Sequence, residues 1–159
     1  DIAVIKIAPP GNRPALQIAS QLPRKGDSVT AIGAPHGLDF SITRGIVSAV
    51  RTSEQMKEFG LDDHLGTWLQ VDAAISPGNS GGPLLDSNGK VIGMSTMILS
   101  VGQNLNFGIS CGDIANAVQS AKSQKLLALS SGAAKVEAAS VKGRGKLPPV
   151  PKKALQTYV

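Results

Sequence analysis

Aromatic residues are nearly missing from this 159-residue chain: three Phe, one Trp and one Tyr make up 3% of it. Any core must therefore be assembled from Val, Ile, Leu and Ala. Cysteine is scarcer still. Cys111 stands alone, which excludes an internal disulfide framework. No aromatic or histidine context accompanies it, so it reads as a buried structural thiol. Apolar runs of membrane-spanning length are absent. No metal-ligand spacing of His, Cys, Asp and Glu is visible, so neither metal nor other cofactor is expected. Asp1 is not an initiator methionine, so the N-terminus reads as a cut or processed end, with any signal peptide upstream.

Charge is present but unevenly spread. Residues 1–121 hold eight Lys/Arg and ten Asp/Glu, a net of −2. Residues 122–159 hold eight Lys/Arg and a single acid, Glu137, a net of +7. The first part carries no basic field that would steer it to nucleic acid. The length allows one domain with a real core, and eighteen Gly and ten Pro point to many turns between short strands.

Ile2–Ile7 alternates as a half-buried strand does, and Pro9-Pro10-Gly11 ends it. Pro14–Ser20 is a connector with one short extended piece. Strands are expected at Val29–Gly33, within Phe40–Val50, at Trp68–Val71 and at Leu105–Ser110. Residues 51–66, polar and charged, read as a surface loop. Pro83-Leu84-Leu85 and Val91–Met94 flank Asp86-Ser87-Asn88-Gly89, the pattern of a β-hairpin. Asp113 reads as a helix N-cap, followed by Ile114, Ala117, Val118 and Ala121 along one helical face. From about Ser130 the composition turns to Ala, Ser, Gly, Lys and Pro, too polar to offset its ordering entropy, so a disordered tail is expected. The sum is an all-β antiparallel barrel with a short C-terminal helix.

Chemistry concentrates in Gly78-Asn79-Ser80-Gly81-Gly82-Pro83. A serine hydroxyl attacks poorly until a base removes its proton and donors hold the oxyanion. Glycines let the backbone turn sharply, expose Ser80 and aim the amides of Gly78 and Ser80 at one point. On this segment alone, a Gly-Ser loop between strands stands equally open. The segment also fits G-x-S-x-G, but that elbow leads into a helix, and here Pro83 and a hairpin follow.

Gly78–Leu85, with Gly89-Lys90-Val91-Ile92-Gly93, resembles trypsin-like serine peptidases, the HtrA/Deg branch above all. Asp1-Ile2-Ala3-Val4-Ile5-Lys6 resembles the strand bearing that family's catalytic aspartate. Ala31–Pro35, Gly45–Ser48, Val71–Ile75 and Asn104–Ile109 resemble further blocks, in family order, so the likeness covers roughly residues 1–120. It implies a chymotrypsin-like two-barrel fold. Residues 1–20 would be the last strand of the first barrel and a connector, 21–121 the second barrel with its terminal helix, and 122–159 the basic flexible tail. It also implies Ser80 as nucleophile, Asp1 as the residue orienting a histidine upstream of this chain, and Gly78 with Ser80 as the oxyanion hole. His64 lies in a charged loop and His36 in a turn, and neither reads as the base. The chain alone is therefore expected to lack hydrolytic activity.

Ala74 stands where trypsins place the aspartate that binds Lys or Arg, and a methyl there leaves a cation unpaired. With Ile75, Met97, Ile98 and Leu105 it forms a candidate pocket for small or medium aliphatic residues. Thr96-Met97-Ile98 offers an edge for a substrate strand, which favours unfolded or extended polypeptides. Asn79 replaces the acid that pairs with a newly cut N-terminus in digestive relatives, so rearrangement of residues 53–66, 74–78 and 99–105 is the expected switch. The family further implies an extracytoplasmic setting, bacterial periplasm or envelope, and trimers. Its usual PDZ domain is replaced here by the basic tail, which reads as a flexible solvated extension, with weak contact to an anionic surface as the sharper alternative. Thr157-Tyr158-Val159 resembles a PDZ ligand. A protease-like binding scaffold without activity, and a basic-tail adaptor for nucleic acid, are the rival readings.

Overall fold

The computed structural model describes residues 2–7, 11–12, 14–34, 40–58, 60, 66–99, 105–123 and 155–157, with 97–99 and 155–157 described by their backbone alone. Its strands are β1 (Ser28–Gly33), β2 (Ser41–Arg51), β3 (Trp68–Val71), β4 (Pro83–Leu85), β5 (Val91–Leu99), β6 (Asn106–Ser110) and β7 (Leu155–Thr157). The helices are α1 (Ser53–Lys57) and α2 (Cys111–Ser123). Neighbouring strands run antiparallel in the order β4-β1-β2-β3-β6-β5-β7, and a β4–β5 pairing closes the first six into a barrel. Closure removes most sheet edges, which otherwise present unpaired amides and carbonyls.

Alternation explains which side chains fill the barrel. On β1, Val29 and Ala31 point inward and are almost fully buried, while Thr30 between them is only half-buried. Val47, Leu69, Val71, Ala73, Ile75, Leu84 and Ile92 complete this aliphatic core. A second cluster gathers Met56, Trp68, Phe107 and Ile109. Full burial of a side chain such as Leu84 is worth about 2 kcal/mol, so these clusters carry the fold despite the shortage of rings.

The hairpin appears as expected. Gly89 adopts φ 75°, its N–H donates to the Asp86 carbonyl at 3.1 Å, and Asp86 Oδ1 accepts the amides of Asn88 and Lys90, each at 2.8 Å. Cys111 is buried, its Sγ 3.5 Å from the Gln21 carbonyl, and burial pushes its pKa up. On α2 the half-buried positions are the expected Ile114, Ala117, Val118 and Ala121, together with Asp113.

Four expectations need correction. Residues 51–66 are not wholly loop: α1 forms there, and Met56 is completely buried. The cause is a capping box, in which Thr52 Oγ1 accepts the Gln55 N–H and Gln55 Oε1 accepts the Thr52 N–H. α2 starts at Cys111, so Asp113 is not its cap. Ser110 fills that place, its Oγ accepting the Asp113 N–H at 3.2 Å and donating to Asp113 Oδ2 at 2.7 Å. Ile2–Ile7 pairs with no strand among the described residues, and Val4, Ile5 and Ile7 are exposed. Alternation prescribes a face, but a strand needs a neighbour to satisfy its backbone. Within the tail read as disordered, Leu155–Thr157 forms β7 against β5. The rest of 124–159 lies outside the described residues.

Candidate active site

The chain leaves β3 and is tied down residue by residue. Asp72 Oδ1 accepts the Ile46 N–H at 2.6 Å. The Ala73 carbonyl accepts Asn106 Nδ2 at 2.8 Å, and the Ala74 carbonyl accepts Thr43 Oγ1 at 2.7 Å. β2 and β6 thus grip the backbone just ahead of the glycine segment. Asn106 is a buried polar residue in a wholly buried strand, and its amide needs such a partner.

Two tight turns follow in succession. In the first, the Asn79 N–H donates to the Ser76 carbonyl at 3.0 Å, and Gly78 has φ 98°. In the second, the Gly82 N–H donates to the Asn79 carbonyl at 2.9 Å, and Gly81 has φ 81°. Both put a glycine in the left-handed region at the third position, as a type II turn requires, and the first has Pro77 at the second position, where its fixed φ fits. Ser80 takes the corner of the second turn and is half-buried. Among the described residues, neither the Gly78 nor the Ser80 amide donates a hydrogen bond. Two free donors beside a corner serine are the components of an oxyanion site.

The turns are clamped on two sides. The Gly81 N–H donates to the Ser95 carbonyl at 2.8 Å, and the Ser95 N–H donates to the Gly82 carbonyl at 2.9 Å. The Ala34 N–H, just beyond β1, donates to the Gly78 carbonyl at 3.4 Å. Gly33 and Gly82 are bare where backbones meet. A methyl group on Gly33 would overlap the Asn79 side chain, and one on Gly82 would overlap the Ile32 carbonyl oxygen. Asn79 is itself buried, and its Oδ1 has no hydrogen-bond partner among the described residues.

Next to the serine turn runs β5. Its ladder with β6 slips between Ser95 and Met97, so Thr96 is an extra residue. Such bulges twist a strand and re-aim it, often beside active sites. Thr96 is half-buried, and the backbones of Met97 and Ile98 continue β5, their side chains lying outside the described residues. Ala74 is exposed, Ile75 is packed in the aliphatic core, and Leu105 is half-buried against the Trp68 and Phe107 cluster. Asp1, His36 and His64 lie outside the described residues. Sequence reasoning overlooked Gly33, Thr43, Asp72, Ser95 and Asn106 as supports of the site. Asn106, an amide amid apolar strand residues, was the one readable signal. Neither of two shallow clefts, one beside Ala19–Pro23 and one beside Ile2 and Val4, includes Ser80. Among the described residues no cluster of His, Cys, Asp or Glu could hold a metal ion.

A closed antiparallel barrel with a serine at such a corner defines the chymotrypsin-like class of fold. The chain belongs to the trypsin-like peptidase domain family, which matches residues 1–94. Its relatives lie in the HtrA/Deg branch. It is 44% identical over 110 residues to the putative serine protease HhoB of a Synechocystis strain, covering 69% of this chain and 26% of that protein. It is 43% identical over 113 residues to the periplasmic serine endoprotease DegP of Escherichia coli, covering 69% of this chain and 23% of that one. Among solved structures, the HtrA-type protease AlgW with a tripeptide superposes with a TM-score of 0.59 at 38% identity, covering 69% of this chain and 36% of that chain. The serine endoprotease from Yersinia pestis gives a TM-score of 0.56 at 31% identity, over 69% of this chain and 36% of that one. The chain thus spans about a quarter of the length of these curated relatives.

Proposed function

We propose that this chain carries the nucleophile and substrate edge of an HtrA/Deg-type serine endopeptidase acting on extended or misfolded polypeptides. The observation that carries this reading is the corner position of Ser80 between two glycine turns, beside two amides with no partner among the described residues. In the reaction, an upstream histidine takes the Ser80 hydroxyl proton as Oγ attacks the scissile carbonyl. The amides of Gly78 and Ser80 donate to the oxygen as it becomes negative. The same histidine returns the proton to the leaving amine, Asp1 holds the imidazole in orientation, and water then frees the acyl group from Ser80. The chain alone, without that histidine, is inactive.

The exposed Ala74 and the apolar residues Ile75, Met97, Ile98 and Leu105 favour cleavage after Val, Ala or Leu. Thr96–Ile98 pairs with the substrate backbone. DegP is periplasmic by name, which supports an extracytoplasmic setting, and trimeric assembly is the family expectation. The tail's contact with anionic surfaces is weak.

The test is peptide hydrolysis by a protein carrying this chain together with its upstream barrel. Ser80→Ala lowers kcat/KM by about 10⁴-fold or more, and peptides with Val before the scissile bond outrun those with Lys. Unchanged hydrolysis in Ser80→Ala overturns the mechanism. A folded protein with no hydrolysis at all favours the inactive scaffold.

A further inference from the structure

β5 has nine residues and β4 has three. β4 covers one side of β5 only from Val91 to Met94. On that side Ser95 is taken by the serine turn, through Gly81 and Gly82. β6 covers the opposite side as far as Ile98. An open edge therefore remains beyond Ser95, and the chain itself occupies it. Leu155–Thr157 lies antiparallel there, with Thr157 opposite Met97, Gln156 opposite Ile98 and Leu155 opposite Leu99.

We propose that the Met97–Leu99 edge is a binding site for one extended peptide strand, and that Leu155–Thr157 is its resident occupant, a tethered competitor of incoming peptide. The competition rests on the peptidase reading, which gives this edge to substrate, whereas the β5–β7 pairing stands without it. Direction supports the assignment. β7 runs from Leu99 toward Met97, and so toward Ser95 and the turn that holds Ser80. A peptide whose acyl side lies on this edge, with its C-terminal end at the nucleophile, runs the same way. The sequence before β7 limits how far the pairing can spread, because Pro148, Pro149 and Pro151 have no amide proton to give a ladder. The tail's net charge of +7 against −2 for the preceding residues favours its return to the barrel.

Tethering sets the size of the effect. A tether of 31 residues, the length of 124–154, holds its end at an effective concentration on the order of 1 mM. A segment with an intrinsic Kd of about 100 μM then occupies the edge roughly nine-tenths of the time and weakens a competitor about ten-fold.

The experiment compares the 159-residue chain with a version lacking residues 154–159 and with Gln156→Pro. A fluorescent peptide copying residues 154–159 is the ligand, and amide hydrogen exchange is followed in parallel. The expected result is binding about ten-fold tighter to the shortened chain and to Gln156→Pro than to the parent. Exchange across Met97–Leu99 accelerates in both variants, while Leu69 and Leu84 in the barrel keep their protection. Equal peptide binding and equal exchange in all three chains overturns the proposal. Faster exchange without peptide binding to any chain also overturns it, since the edge then holds the tail but accepts no other strand. Ser80 reactivity in the protein with its upstream barrel, read separately, reports on the peptidase assignment alone.

Discussion

Ser80 is positioned by residues with no side chain at all. Gly78 and Gly81 supply the left-handed turns, and Gly33 and Gly82 let two backbones touch. The turn glycines were legible because glycine beside a serine is a visible pattern. Gly33 was not, because its neighbour Asn79 is distant in sequence and the contact exists only after the barrel closes. Gly82→Ala is expected to destabilise the protein by about 1–3 kcal/mol through overpacking, seen as a lowered urea midpoint, and to slow acylation of Ser80. Asn79 gives a sharper, pH-dependent prediction. An Asn79→Asp carboxylate would be buried without a described partner, so its folded-state pKa rises above the unfolded value of about 3.9. The penalty is then small below that unfolded value, grows as pH rises, and levels off above the folded pKa. Denaturation of variant and parent across pH 4–8 should show the gap widening upward, and a constant gap contradicts the buried-carboxylate account.

Elements show where local code and tertiary context diverge. β1, β3, the β4–β5 hairpin and the buried face of α2 follow from alternation, turn residues and helical spacing in the sequence. α1 was also written there, as Thr52-Ser53-Glu54-Gln55, but with charged and polar neighbours on both sides a single buried methionine gives no apolar periodicity. Thr52→Ala is expected to cost about 1 kcal/mol as a lost cap, and Met56→Ala about 2–5 kcal/mol as a lost core side chain. If both changes have equal, small effects in thermal unfolding, α1 is not docked as described. The Ser110–Asp113 corner ties α2 to the approach of β3, since Asp113 Oδ2 also accepts the Thr67 N–H at 2.9 Å. Asp113→Ala leaves that amide without its partner, at a cost of about 1–3 kcal/mol. Neither Ile2–Ile7 nor β7 could be judged from local pattern, because each depends on a neighbouring strand far away in the chain.

At the scale of the molecule, the barrel leaves large apolar side chains outside. Phe40 is 85% exposed, Ile42 64% and Ile46 43%, at alternate positions of one segment that also carries the exposed Arg44. Composition revealed enough aliphatic residues for a core but not which would remain outside it, since alternation alone does not say which faces find partners. Exposed apolar surface of this kind marks a contact face. The chain by itself is expected to bind a hydrophobic dye and to scatter light at rising concentration, and Phe40→Ser with Ile42→Lys to suppress both.

The nucleophile role of Ser80 is tested most directly by a fluorophosphonate, applied to the protein carrying this chain with its upstream barrel and read by mass spectrometry of its peptides. The account predicts a single adduct, on Ser80, lost in Ser80→Ala and lost when the upstream histidine is replaced. A folded protein that leaves Ser80 unmodified, or carries the adduct on another residue, contradicts it.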